Sequence, residues 1–541
     1  MSRAISLLCR RWGLTTFALF ACAMIHGVDA QQLRVYPATD AFPRSADFDV
    51  RVRTSGGDWK DVPAYGVPVS TGIDVEANVR ALAKGAAAAQ LNRALTSMAS
   101  FDCAGQVEVL VTWKHGAPKN VRVRPSALGI VPAVSGSTIH LFLDRPRKLS
   151  IEVDGDIFHN LQLFADSMET SRPSPGDPNV LYYGPGIHDV GTVEVASGTT
   201  VYLAGGAVVV GGFHVSHAHD VRIAGRGILT QRPPALPIAS SGATTQSGVT
   251  AQSGVSAPAP AHTGGSRRHD AILIEFSTGV QVEGITEVPS SYTVLIGQSE
   301  NITIKDLKSF SAGGNNDGID VFTSKHVVID DVFMRNSDDC IALYGHRWAY
   351  YGDLTDVGVT NSTLWADVAH PILVGTHGDT EHPAVLSHLQ FRNIDILDQR
   401  EPQVDYQGCM SLNAGDSNLI RDVLFEDIRV DDFRMGQLVN IRVMFNRKYN
   451  TSPGRGVEDV IFRNVSYTGR HADLSVIAGY DDERAVKRIT FENLRINGIV
   501  IADDMPGKPG FYKTSDLAHM FVGEHVDGLV FTKGSSAPET R

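Results

Sequence analysis

The chain has 541 residues, 43% hydrophobic and 20% charged, a balance that fits a folded protein and excludes a disordered one. Its formal net charge of −12 excludes a general electrostatic pull toward nucleic acid or anionic membranes. A polyanionic substrate gains no broad attraction either, although a local basic cleft is compatible with that charge.

Residues 1–30 read as an export signal. Arg3, Arg10 and Arg11 form a positive n-region, Leu14 to Met24 is apolar but too short to span a bilayer, and Val28-Asp29-Ala30 offers small residues for cleavage. The Arg10-Arg11 pair raises a twin-arginine route. No later stretch is long and apolar enough for a transmembrane helix, so the expectation is a secreted or periplasmic protein with no membrane partner. Cys9 and Cys22 leave with the signal. Cys103, Cys340 and Cys409 are odd in number and widely spaced, which predicts buried free thiols, with neither a disulfide framework nor a metal set.

Residues 31–175 alternate apolar and polar in short runs, such as Val107-Glu108-Val109-Leu110-Val111 and Ile139-His140-Leu141-Phe142-Leu143. Turn residues separate them, as at Gly116-Ala117-Pro118. Period-two runs every dozen residues predict an antiparallel β-sandwich. The alanine-rich stretch Ala86 to Leu95 predicts a short helical excursion.

From 176 to 530 an internal repeat takes over, with the unit apolar-x-apolar-x-(Asn/Asp/Gly)-apolar. It begins at Val221, Val280, Ile302, Val327, Val357, Leu389, Val423, Val460 and Ile489. The starts from Val280 onward rise by 22 to 37 residues, and the shortest step holds three short strands and three turns. That is one coil of a parallel β-helix, with loops inserted in the longer steps. Alternate side chains point inward and stack on the coil below, about 4.8 Å away. The Asn or Asp after each strand suits a left-handed bend. A leucine-rich repeat would need fixed leucine spacing, and a propeller longer and more regular blades. The fold class expected is all-β: a right-handed parallel β-helix preceded by a β-sandwich. Residues 232–268, almost wholly Pro, Ala, Ser, Thr, Gly and Gln, predict a flexible insertion between coils, and 531–541 a tail.

Carboxylates concentrate in consecutive coils. Asn315-Asn316-Asp317-Gly318-Ile319-Asp320 is followed by Ser337-Asp338-Asp339-Cys340-Ile341-Ala342. Asp317 and Asp338 are 21 residues apart, close to one minimal coil, which predicts the two side by side with Asp339 adjoining. Mutual repulsion raises at least one pKa in such a cluster, supplying the protonated acid and the ionised base that glycoside hydrolysis needs. Two other readings stand beside it. Asp and Asn are ordinary turn residues of β-helices, and clustered carboxylates also suit calcium. Between the motifs, Tyr344, His346, Arg347 and Trp348 form an aromatic loop suited to stacking on sugar rings.

These two aspartate runs, with His377-Gly378 in Val374–Asp379, resemble the motif series of polygalacturonases, glycoside hydrolase family 28. The sandwich is similar to that of family 49, the dextranases and isopullulanases, chiefly from Arg147 through Val153, Ile157 and Phe158 to Leu163-Phe164-Ala165. Together the resemblances cover nearly the whole mature chain. They imply an inverting hydrolase of a polysaccharide that needs no cofactor or metal. In it Asp339 would protonate the leaving group, Asp317 and Asp338 would activate water, His377 would stand beside them, and Asn315 would support the first turn. The chain departs from family 28 after the His-Gly motif, where an Arg-Ile-Lys is expected. It has Gly408-Cys409-Met410-Ser411-Leu412-Asn413 instead, leaving Arg442 and the Arg447-Lys448 pair either to replace that clamp or to cover solvent-facing loops. The rival readings are a calcium-dependent polysaccharide lyase and a non-catalytic glycan-binding β-helix.

Overall fold

The computed structural model describes residues 32–72, 92–231 and 270–534. The export signal, the insertion 232–268 and the end of the tail lie outside the described residues.

The N-terminal part is two sheets packed face to face. One runs in the order Gln32–Arg34, Asn92–Ala104, Asp156–Ser167, Arg147–Val153, Val121–Arg124, with Ala64–Gly72 also paired to Asn92–Ala104. The other is Lys60–Val62, Phe48–Thr54, Val107–Trp113, Thr138–Leu143, Ala133–Ser135. Inward residues of both faces, including Val50, Val109, Leu141, Ile151 and Leu163, make one core. Two details differ from expectation. Asp156–Ser167 pairs with Asn92–Ala104 in parallel, not antiparallel. Of Ala86–Leu95 only Asn92–Leu95 is described, and it is the start of that long strand, edge-paired to Ala64–Gly72.

From Val180 the chain winds into a right-handed parallel β-helix, a single sheet of 31 strands in which strands of successive coils pair in parallel, most often with the third strand on, and Leu494–Ile496 pairs Ile499–Ile501 antiparallel. The coil Ile272–Glu275, Thr278–Glu283, Thr286–Val288 is followed in register by Val294–Gly297, Glu300–Lys305, Lys308–Phe310. Each repeat start found in the sequence stands on the next: Val221 on Val280, then Ile302, Val327, Val357, Leu389, Val423, Val460 and Ile489. The Asn/Asp/Gly slot four residues on has left-handed backbone at Gly284, Asp306, Asp331, Asn361, Asn393, Asp427, Asn464 and Asn493, with φ between 53° and 83°.

Inside, Phe391, Phe425, Phe462, Phe491 and Phe531 stack with ring centroids 4.7, 4.8, 4.7 and 5.0 Å apart. Phe531 explains why the last strand, Val526–Thr532, runs into the stretch expected to be tail. The three remaining cysteines are buried free thiols. The sandwich lies along the helix flank, with Phe164 packed on Phe310 and Phe333 at 6.1 and 5.0 Å.

Candidate active site

Three neighbouring strands, Ile319–Phe322, Ile341–Tyr344 and Ile372–Gly375, carry the acidic cluster at their leading ends. Register is set by Ile319, Ile341 and Ile372, which stack in the core. Two residues before each isoleucine stand Asp317, Asp339 and His370, one above another on successive coils. Backbone bonds continue the alignment: Gly318 N–H donates to Asp339 O at 2.7 Å and Cys340 N–H to His370 O at 2.8 Å. This corrects the expected pairing. Asp317 stands over Asp339, whereas Asp338 stands over Asn316, because the isoleucines impose a step of 22 residues. Gly318 permits the close approach, since a Cβ there would lie 2.2 Å from the Cys340 carbonyl oxygen. Asp317, Asp338 and Asp339 each still offer an oxygen within 4.8 Å of the others'.

Hydrogen bonds divide these carboxyls into two kinds. Asp339 Oδ1 accepts the backbone N–H of His370 at 3.0 Å and lies 2.7 Å from its ring Nδ1. The other ring nitrogen, Nε2, lies 2.6 Å from the Tyr406 carbonyl oxygen, which can only accept, so Nε2 carries a proton. One further proton then belongs to the Nδ1–Oδ1 contact. Burial alone would lower the His370 pKa, but the charge and hydrogen bond of Asp339, with Glu401 and the Tyr406 carbonyl, raise it to about 9. Asp339 Oδ2 faces the Tyr344 hydroxyl at 3.3 Å. Asp338 differs, accepting only backbone N–H groups, from Asn315 at 3.1 Å and Asp339 at 3.1 Å. Burial, with the charges of Asp339 and Glu401, pushes its pKa up to about 7. Asp317 is raised well above the carboxylate range by burial and by Asp320, Asp338 and Asp339, with Arg347 opposing.

The remaining expected residues fall into four places. Arg347 and Trp348 stand over the aromatic side chains beside the cluster: the guanidinium lies 5.5 Å over the Tyr344 ring, 5.9 Å over Phe322 and 4.3 Å over Trp348. His377 packs against Tyr344 at 5.2 Å and Tyr449 at 6.2 Å, and burial and Arg347 hold it neutral. It is thus one side chain removed from Asp339. His346 turns away, stacked on Tyr351 at 4.0 Å and 3.4 Å from Asp379. Arg442 stands three coils beyond Tyr344 on the same outward column, through Gly375 and Asn413, and donates to the Asp405 carbonyl at 2.7 Å.

Sequence reasoning passed over His370, Glu401 and Asp320 as site residues. Tyr406, which the sequence offers in the polar run Asp405-Tyr406-Gln407 with Asn413 and Asp416 as a lining of the groove, presents its carbonyl oxygen to His370. Asp320 is fully buried beside the cluster with neither oxygen hydrogen-bonded, and burial with Asp339 raises its pKa well above the usual range. The signal for His370 was present: Asp317-Gly-Ile, Asp339-Cys-Ile and His370-Pro-Ile are one slot in three coils. Could the three carboxyls hold a cation? Their spacing allows it, but Asp339 Oδ1 is already committed to two nitrogens, and Asp338 to two backbone donors.

Residues 252–505 match the family model described as glycosyl hydrolases family 28. The chain is 28% identical over 134 residues to a polygalacturonase of Chamaecyparis obtusa, covering 24% of each chain. It is 24% identical over 173 residues to a probable endo-xylogalacturonan hydrolase A of Aspergillus fumigatus, covering 30% of this chain and 40% of the relative. The chain thus spans less than half the length of these curated relatives. Among solved structures, Dex49A from Penicillium minioluteum superposes with a TM-score of 0.58 at 13% identity, over 92% of this chain and 96% of that one, a likeness of fold. The chain is a β-helix protein similar in sequence to glycosyl hydrolases of family 28 and in overall fold to Dex49A from Penicillium minioluteum.

Proposed function

We propose that this protein is a glycoside hydrolase that cleaves a polysaccharide with the Asp317, Asp338, Asp339 cluster, and that it is exported by its N-terminal signal. The observation that carries this is the division of labour among the carboxyls. Glycoside hydrolysis needs a protonated group at the leaving oxygen and an ionised one at water. The proton of the Asp339–His370 ion pair stays in the Nδ1–Oδ1 contact up to about pH 9, whereas Asp317, raised well above the carboxylate range, keeps a proton among the three carboxyls at neutral pH. His370 holds Asp339 Oδ1, so the leaving oxygen is protonated through Oδ2, which takes its proton from Asp317 within the cluster. Asp338, with a pKa of about 7, is substantially ionised under the same conditions and can orient and deprotonate water, joined by Asp317 once that residue has given up its proton. The two steps titrate as a coupled set, not as independent residues.

Inversion follows if water occupies the space between the sugar and Asp317/Asp338. Retention would follow if one of these attacked carbon directly. Oxygens within 4.8 Å of one another favour keeping that second reading open. The anomer first released, read by proton NMR, decides between them. Arg347 and Trp348, stacked beside Tyr344 next to the cluster, are the sugar-binding residues in this reading, while Asn315 supports Asp338 through its backbone.

Asp339→Asn keeps the side-chain shape and removes the acid. It is expected to lower reducing-end release by about 10³-fold or more with the circular dichroism spectrum unchanged. Full retained activity would sink the assignment. A lyase would instead give an unsaturated product absorbing in the ultraviolet and would stop with a chelator.

A further inference from the structure

Outward side chains on the sheet that carries the acids form a column: Ser216, Glu275, Gly297, Phe322, Tyr344. Glu275 stands two coils before Phe322, outside the cluster itself, yet three side chains, His214, Ser216 and Tyr350, meet its carboxylate. Its Oε1 lies 3.1 Å from His214 Nε2 and accepts the Ser216 hydroxyl at 3.1 Å. Its Oε2 accepts the Tyr350 hydroxyl at 2.8 Å. His214 is clamped from its other side by Glu194 at 2.9 Å, so both ring nitrogens face carboxylates and the imidazolium form is favoured.

Tyr350 is 75 residues away in sequence and reaches Glu275 only because Gly297 has no side chain. A Cβ there would come within 2.3 Å of the Tyr350 ring. The ring lies across that gap, 5.5 Å from Phe276 and 6.0 Å from Phe322, and is 1% exposed. Arg347 and Tyr350 exchange backbone hydrogen bonds of 3.2 and 3.1 Å, closing a tight turn. Whatever fixes Tyr350 therefore fixes the guanidinium over Tyr344, and with it the positive charge that acts on Asp317 and Asp320.

We propose that Glu275 is a positioning residue: through Tyr350 it latches the turn that sets Arg347 and Trp348 over the acidic cluster. The inference rests on the hydrolase reading for its consequence, but the latch itself is testable without turnover. The groups facing Asp317 are Asp320, Asp338, Asp339 and Arg347; those facing Asp320 are Asp339, Arg347, Asp338 and Asp270, with Tyr292 and Tyr344 adjoining. Of the groups acting on both carboxyls, only Arg347 favours ionisation. Releasing the turn therefore makes the base harder to ionise.

The experiment compares wild type, Tyr350→Phe, Glu275→Gln and, as benchmark, Arg347→Ala. Hydrogen exchange is read at the amides of Arg347 and Tyr350, and the acid limb of kcat/KM against pH is read on the responding polysaccharide. Both latch variants should speed exchange at those two amides by about tenfold or more, leaving the strand Ile341–Tyr344 protected. They should also move the acid limb to higher pH, in the direction of Arg347→Ala and by up to about one unit. Unchanged exchange overturns the latch. Faster exchange with an unmoved limb, or an Arg347→Ala limb that does not move, reduces Glu275 to a structural tie and overturns the positioning role. If wild type cleaves no polysaccharide, the hydrolase reading has failed, and the exchange data still decide the latch.

Discussion

The Oδ1 oxygen of Asp339 receives both the backbone N–H and the ring of His370, so the orientation of the acid depends on a residue one coil away. The histidine's proton is a stability statement as well as a catalytic one. Its folded pKa of about 9 stands above the unfolded value near 6.5. The stabilisation is thus complete below pH 6.5 and is lost as pH rises through about 9. His370→Gln keeps most of the volume and loses that ion pair. Its melting temperature should fall furthest below wild type near pH 6, the gap narrowing toward pH 9, while kcat falls about 100-fold. A gap that is constant with pH would mean that the pair holds no extra proton. The aspartates were legible because three acids in two coils exceed what turns require. His370 was not, because a His-Gly dipeptide was sought where coil register was the informative coordinate. His377, which has that dipeptide, lies past the strand Ile372–Gly375, against aromatic rings.

Single strands of four to six residues are marginal alone, and in this fold each is stabilised by the strand above and below. The phenylalanine ladder shows it most directly. Phe462 is stacked between Phe425 and Phe491 at 4.8 and 4.7 Å, its plane nearly parallel to that of the first at 1°. Phe462→Ala should cost about 3–5 kcal/mol, and Phe462→Leu under about 1.5, measured by urea unfolding. Equal losses for the two would mean that refilling the volume restores nothing and that the ring stacking itself carries the stability. The same repeat made this part of the fold readable: an apolar position every second residue and a left-handed Asn or Asp after the strand fix both the inward face and the corner. The sandwich was less readable in its details. Alternation states which face a residue takes, but not the direction of the neighbouring strand. Nothing in Asp156–Ser167 therefore announces that its partner Asn92–Ala104 runs parallel to it.

Across the whole molecule, the sandwich and the β-helix are joined by charges as well as by aromatic rings. Lys308, 1% exposed on the helix flank, reaches Asp166 of the sandwich at 2.9 Å and Asp306 at 3.0 Å. Lys148 meets Asp306 at 2.9 Å, and Arg226 bonds Asp102 at 2.8 Å. Sequence patterning cannot show such a seam, because each charged residue looks like a solvent-facing one until the two parts are docked. Burial and the Asp306 charge raise the Asp166 pKa to about 6, opposed by Lys308, Lys148 and Arg226. That value is above the unfolded one, so the Asp166 contribution is lost as pH rises through about 6, and the neighbouring cations are what keep its anion tolerable above that. Lys308→Met removes the cation and keeps an apolar stem. At pH 7.5 it leaves Asp166 and Asp306 facing each other, at a cost of about 3–5 kcal/mol. At pH 4.5 Asp166 is protonated in the folded state and the cost should shrink to a minor part of that. Urea melts of the variant and wild type at the two pH values measure the difference. A penalty independent of pH would place the energy of the seam in Phe164, Phe310 and Phe333, making the charges a device for registering the two parts and not for holding them together.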